Sequence, residues 1–166
     1  MVFVARHNFT IRVGAKLTYR DFAIRSVLSA CKLVAFNPNQ TSETDRSLDI
    51  QSKAETDLIS AFSEIFNNIV LHGGPIENDE PITINISVAS KVVTLEIIEK
   101  GLVCSQEHFS PSSLPEYPEG GMGFHIIRST LDSFEYKPGP PNRWLLSKRF
   151  GYKQSSQGTI DKETAD

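Results

Sequence analysis

The chain has no run of about twenty apolar residues, so no segment reads as a helix that crosses a bilayer. It also lacks a dense stripe of lysine and arginine. With a formal net charge of −3, direct binding to nucleic acid through phosphate neutralisation is not expected. The first residues, Met1 to His7, have neither the long apolar core nor the small-residue cleavage site of a secretory leader. Cys31 and Cys104 are too few for a disulfide framework, and free thiols in a reducing cytoplasm are the expectation. A glycine-rich loop followed by Lys and then Ser or Thr is missing, which excludes the Walker type of phosphate loop. No internal repeat and no second domain is evident.

What is present reads as an ordinary globular chain. Its 166 residues, 39% hydrophobic and 22% charged, suffice for one domain with a sizeable core. That domain is placed at residues 1–153, with a polar tail over 154–166 whose composition predicts disorder. Phe9, Ile11 and Val13 alternate within His7 to Val13 and predict a first strand. Thr18 with Asp21 suggests a capping box, opening a helix striped by Ile24, Val27, Leu28, Cys31 and Val34 that ends near Asn37 and Pro38. Residues 37–51 are a largely polar loop. Ser52 with Glu55 is a second capping box, opening a longer helix that Gly73, Gly74 and Pro75 stop. Ile82 to Val88 and Val92 to Ile98 predict a hairpin turning at Ala89, Ser90 and Lys91. A proline- and serine-bearing stretch, 102–119, predicts a mobile loop. Gly120, Gly121, Met122 and Gly123 then open a short helix through Phe124, Ile127 and Leu131. Phe134 to Lys137 and Arg143 to Arg149 form a last strand pair.

Three patterns carry chemistry. On the long helix, Glu64, Asn68 and His72 recur every four residues, so each step rises roughly 6 Å along nearly one face. Phe62, Ile65, Phe66, Ile69 and Val70 supply its apolar faces. A carboxylate and an amide carbonyl are hard oxygen donors of the kind Mg2+ takes when it also holds nucleotide phosphates. Taken alone, such a stripe is more often a solvated helix face, and a lone helix-end histidine more often meets the carbonyl dipole than a ligand. The second pattern is the glycine run before the short helix, where close backbone approach and free N–H donors suit a phosphate. A tight turn explains that run equally well. The third is Glu99, Lys100 and Gly101 at the end of an apolar strand. There a carboxylate could accept from an exocyclic amine, and Gly101 would let a flat ring lie against the chain. An ordinary strand-end turn is the plainer alternative.

Order along the chain separates these readings. A helix with Glu64, Asn68 and His72, a hairpin, Glu99 and Gly101, a proline-bearing loop, then Gly120, Gly121 and Gly123 entering a helix resemble the GHKL ATPases. More narrowly, the chain resembles the anti-sigma-factor serine kinases, the histidine-kinase-like ATPases of bacterial partner switching. The resemblance covers about residues 7–150 and is most specific over Glu119 to Phe124, followed by Ile126, Ile127, Leu131 and Asp132. It implies an α+β fold: a two-layer α/β sandwich of the GHKL (Bergerat) type, with a mixed sheet of about five strands covered on one face by about three helices.

The resemblance also implies roles. Glu64 would act as general base or orient the nucleophile, and Asn68 would hold Mg2+ through its carbonyl. His72 belongs to the same helix motif. Glu99 would read the adenine amino group, with Gly101 against the base. Gly121, Met122, Gly123 and Phe124 would line the phosphates beneath a lid at 102–119. ATP and Mg2+ are the implied cofactors. The implied partners are a STAS-domain anti-anti-sigma protein and a sigma factor, with a homodimer pairing through the apolar first strand. The implied setting is the bacterial cytoplasm. The chain departs from the family pattern at Glu99, where aspartate is usual, and at Val103, Cys104 and Ile69, the last of which would narrow the pocket. These departures motivate a second expectation, a GHKL-shaped module that sequesters partners with weak or no catalysis. The catalytic half of a histidine kinase is disfavoured, because no helix pair with a phosphoacceptor histidine precedes the domain.

Overall fold

Alternation of buried and half-buried side chains builds the centre of the sheet. The computed structural model describes residues 6–34, 53–74, 80–104 and 122–150. Strand β1 spans Arg6–Gly14, β2 Pro81–Ala89, β3 Val92–Glu99, β4 Ser133–Lys137 and β5 Asn142–Arg149. Helix α1 spans Arg20–Lys32, α2 Lys53–His72 and α3 Met122–Thr130. The strands lie in the order β1-β2-β3-β5-β4, with the helices packed on one face. No described helix is long and apolar enough to cross a membrane.

Two layers and five strands match the fold expected from the sequence, but the sheet is not mixed. Among the described residues all four strand pairings are antiparallel. The connection through α3 leaves β3 and β4 pointing the same way, yet they never pair. Strand β5 folds back from β4 and inserts between them. At the β2–β3 hairpin, Ser90 takes a left-handed φ of 55°, which a tight two-residue turn requires.

The core lies between the sheet and α2. Leu58, Phe62, Ile65, Phe66 and Ile69 of α2 pack with Ile82, Ile84, Ile86, Val93, Leu95, Ile97 and Leu146 of the sheet. The rings of Phe62 and Phe66 are 6.1 Å apart and fully buried. Truncating either to alanine would cost about 3–5 kcal/mol. Helix α1 contributes Ala23, Val27, Ala30 and Cys31, and α3 contributes Ile127. Burial pushes the Cys31 thiol up to about 12, with the charge of Glu55 adding to the effect, so this cysteine is an inert packing group. The opposite sheet face is polar. Thr10 donates to Asn85 (2.8 Å), Asn85 to Glu96 (2.9 Å), and Arg143 to Glu96 (2.6 Å) across four strands.

The start of α1 differs from expectation. Leu17–Tyr19 form a 3-10 turn, so Thr18 lies inside that turn rather than at the cap. Tyr19 is the N-cap residue of α1 and makes no side-chain capping bond. Asp21 still sits in the first turn, where its charge meets the positive helix end. The helix ends at Lys32, short of Asn37, and Leu33 and Val34 close it with bonds to Ala30 and Cys31. Ser52, Pro75, most of the 102–119 loop, Gly120, Gly121 and the 154–166 tail lie outside the described residues.

Candidate active site

Helix α2 brings the Glu64 carboxylate to the first turn of α3. Glu64 and Asn68 are half-buried, one turn apart. A β-carbon placed on Gly123 would stand 2.8 Å from Glu64 Oε2, so only glycine leaves that carboxylate its present place. The contact is electrostatically sensible, because the free N–H groups of a helix N-terminus favour negative charge. Two segments distant in sequence thus meet at one spot. His72 ends α2 and is exposed. Met122 opens α3, while Phe124 packs against the core. Ile69 is buried and belongs to the core cluster.

The far end of α3 is braced. Lys148 of β5 donates to the carbonyl of Thr130 and pairs with Asp57 of α2 at 2.9 Å. Lys53 joins the same carboxylate at 2.9 Å. Burial works to raise the Asp57 pKa, but hydrogen bonds from both lysines and their charges outweigh it, and the carboxyl lies below its ordinary value. A cation at the carbonyl end of α3 complements the helix dipole. The carbonyl end of α3 is thereby tied through Lys148 to α2.

A second polar cluster lies where β3 ends. Glu99 is 4% exposed. One carboxylate oxygen accepts the Gly101 N–H, and the other accepts the Trp144 indole N–H at 3.2 Å. A β-carbon on Gly101 would meet the Gly73 carbonyl oxygen at 2.7 Å and Glu99 Oε2 at 2.9 Å. Leu102 donates its N–H to that same Gly73 carbonyl at 2.7 Å, which ties the exit of β3 to the end of α2. Gly74 allows the approach with a φ of +74°.

Asn142, Trp144 and Tyr136 were not singled out from the sequence. Asn142 is fully buried; its amide donates to the carbonyls of Gly101 (3.1 Å) and Leu102 (3.3 Å) and accepts from Gly139 N–H (3.0 Å). The available signal was parity, since Asn142, Trp144 and Leu146 share the buried face of β5 and a buried amide must be bonded. Cys104 donates its N–H to the Tyr136 hydroxyl at 2.9 Å. Burial, then the charge of Glu99, pushes the Cys104 thiol up, which disfavours the thiolate.

The donor set suits a nucleotide with a divalent cation. Among the described residues no three His, Cys, Asp or Glu side chains cluster to cage a metal. Glu64 and Asn68 offer a few hard oxygens, as Mg2+ needs when phosphates complete its shell. Glycine at position 123 lets the Glu64 carboxylate approach the first turn of α3, and the buried Glu99 carboxylate is an acceptor that already takes the Gly101 and Trp144 N–H groups.

An antiparallel sheet layered with three helices, with a glycine-led helix facing a polar helix stripe, defines the class as a GHKL-type nucleotide-binding fold. Residues 34–146 match the histidine kinase-like ATPase domain, and the chain belongs to that family. An anti-sigma F factor of Clostridium beijerinckii is 27% identical over 100 residues, 57% of this chain and 70% of the relative. One from Clostridium perfringens is 27% identical over 92 residues, 53% of this chain and 66% of the relative. A crystal structure of the RsbU and RsbW domains of a Mycobacterium tuberculosis protein superposes with a TM-score of 0.53 at 16% identity. That match covers 86% of this chain but 32% of the other, and it speaks for the fold alone.

Proposed function

We propose that the chain is an ATP-dependent protein serine kinase of a bacterial partner-switching system, which holds a sigma factor and phosphorylates a STAS-domain antagonist. Family membership supports ATP as the nucleotide, and the similarity to anti-sigma F factors supports the partner class. The observation that carries the reading is the meeting of Glu64 with Gly123. In this role Glu64 accepts the proton of the attacking serine hydroxyl or orients that hydroxyl. Asn68 offers its carbonyl to Mg2+, and His72 extends the same stripe. Gly121, Met122, Gly123 and Phe124 supply backbone to the phosphates. Glu99 receives the adenine amino group, with Gly101 against the ring. When bound beside Asn68, Mg2+ would supply charge neutralisation for the phosphate oxygens. What the protein adds is mainly position.

The partner surfaces follow the same reading. Phe22 on α1 is 56% exposed, with exposed Leu17 and Tyr19 just before it, which favours α1 as a docking element in the cytoplasm. Strand β1 is an edge of the sheet and carries exposed Phe9, which favours pairing across a two-fold axis in a homodimer. Incubation with labelled ATP, Mg2+ and a cognate STAS protein should label the latter, and Glu64→Ala should abolish transfer. Absence of label with every plausible antagonist would remove the kinase claim.

One observation favours a second reading, a sequestering module without turnover. Both oxygens of Glu99 already accept protein N–H groups. Calorimetry with ATP and Mg2+ separates the two, since binding tighter than about 1 mM would show a working pocket.

A further inference from the structure

Glu99 carries one more methylene than aspartate, and a longer side chain samples more rotamers unless something holds it. The holder is visible. Trp144, the one tryptophan of the chain, is 3% exposed and directs its indole N–H to Glu99 Oε1 at 3.2 Å. Its ring is itself fixed. The Tyr136 ring lies 4.3 Å away, centroid to centroid, and the Phe134 ring 6.3 Å away. Tyr136 in turn accepts the Cys104 N–H, so the same aromatic layer anchors the chain beyond Gly101.

The donor types matter here. An indole N–H only donates, so this contact favours an accepting carboxylate oxygen. With the Gly101 N–H on the other oxygen, both ends of the carboxylate are pinned and its plane is set. A carboxylate has about four acceptor positions, so two further donors can be received in a fixed direction.

We propose that Trp144 is a positioning residue: its indole holds the Glu99 carboxylate for an exocyclic amino group on a purine and so gives the site its preference for 6-aminopurine nucleotides. The inference rests on the nucleotide reading above and adds to it the residue that sets base specificity. Tyr136 and Phe134 act one step further out, by fixing the indole.

Trp144→Phe keeps an aromatic ring beside Tyr136 and deletes the N–H donor. Calorimetric affinities would be compared for ATP and for purine riboside triphosphate, which lacks the 6-amino group, each with Mg2+. Wild type should favour ATP by about tenfold, the worth of one hydrogen bond to a charged group. In the Trp144→Phe protein that ratio should fall towards one through weaker ATP binding, with the deamino analogue unchanged. Equal weakening of both ligands, or no change in the ratio, would overturn the proposal. A wild type that binds neither nucleotide overturns the nucleotide reading instead, and the two failures are thereby distinct. A second measurement needs no variant. Because Trp144 is the sole indole, its emission should shift with ATP and not with the analogue. Identical responses to both would again count against the proposal.

Discussion

The Glu64 carboxylate and the Gly123 α-carbon face each other so closely that a methyl group on the glycine would fall 2.8 Å from Oε2. The obstructing atom is the far end of a flexible side chain, so it can swing aside. Gly123→Ala should therefore fold normally, with the helix propensity of alanine, worth up to about 1 kcal/mol, offsetting the contact. On the kinase reading proposed above, phosphotransfer should fall at least about tenfold because Glu64 is displaced. A thermal melt beside a transfer assay checks both halves.

Gly101 has no such freedom. A β-carbon there meets the Gly73 carbonyl oxygen at 2.7 Å, and that oxygen already accepts the Leu102 N–H. Backbone would have to move. Gly101→Ala should lose about 1–3 kcal/mol of stability, read from the urea midpoint, as well as nucleotide affinity. Unchanged stability would show that the end of α2 yields more easily than this packing implies.

Asn142→Ala removes the amide that ties Gly101, Leu102 and Gly139 together. Three backbone groups lose a partner at a fully buried position, and a cost of about 1–3 kcal/mol is expected. Hydrogen exchange should quicken at the Gly139 amide, whose acceptor is deleted.

Acid should destabilise the fold through Asp57 and Glu96. In Asp57, burial is outweighed by Lys53 and Lys148; in Glu96, the hydrogen bond from Asn85 leads and Arg143 adds to it. Both folded pKa values lie below the ordinary ones. Such groups contribute stability that is present above their unfolded pKa, near about 4, and lost as pH falls through the folded value. Urea midpoints should drop as the pH falls below about 5 and through the folded values of these two carboxyls. Asp57→Asn should be less stable than wild type at neutral pH, and the gap should narrow on acidification.

Much of the local architecture was legible. Ile82, Ile84, Ile86 and Val88 alternate, and they became the buried face of β2. Phe62, Ile65, Phe66 and Ile69 recur at helical spacing, and they became the buried stripe of α2. The entry to α1 was misread because Thr18 and Asp21 fit a cap by residue type, while Leu17–Tyr19 wind into a 3-10 turn instead. Glu99 was legible as a strand-end acid but not as a pinned one. Its indole partner sits on a strand reached only through the α3 connection and the β4–β5 hairpin.

The amino-acid sequence by itself determined the elements, the four-residue spacing of Glu64, Asn68 and His72, and the glycines before α3. Those features depend on near neighbours and the backbone period. Only the tertiary structure decided that β5 inserts between β3 and β4, that Trp144 reaches Glu99, and that Gly123 stands against Glu64. These proximities arise from strand register and helix packing, where a shift of one residue turns a side chain to the opposite face, and no local preference encodes them.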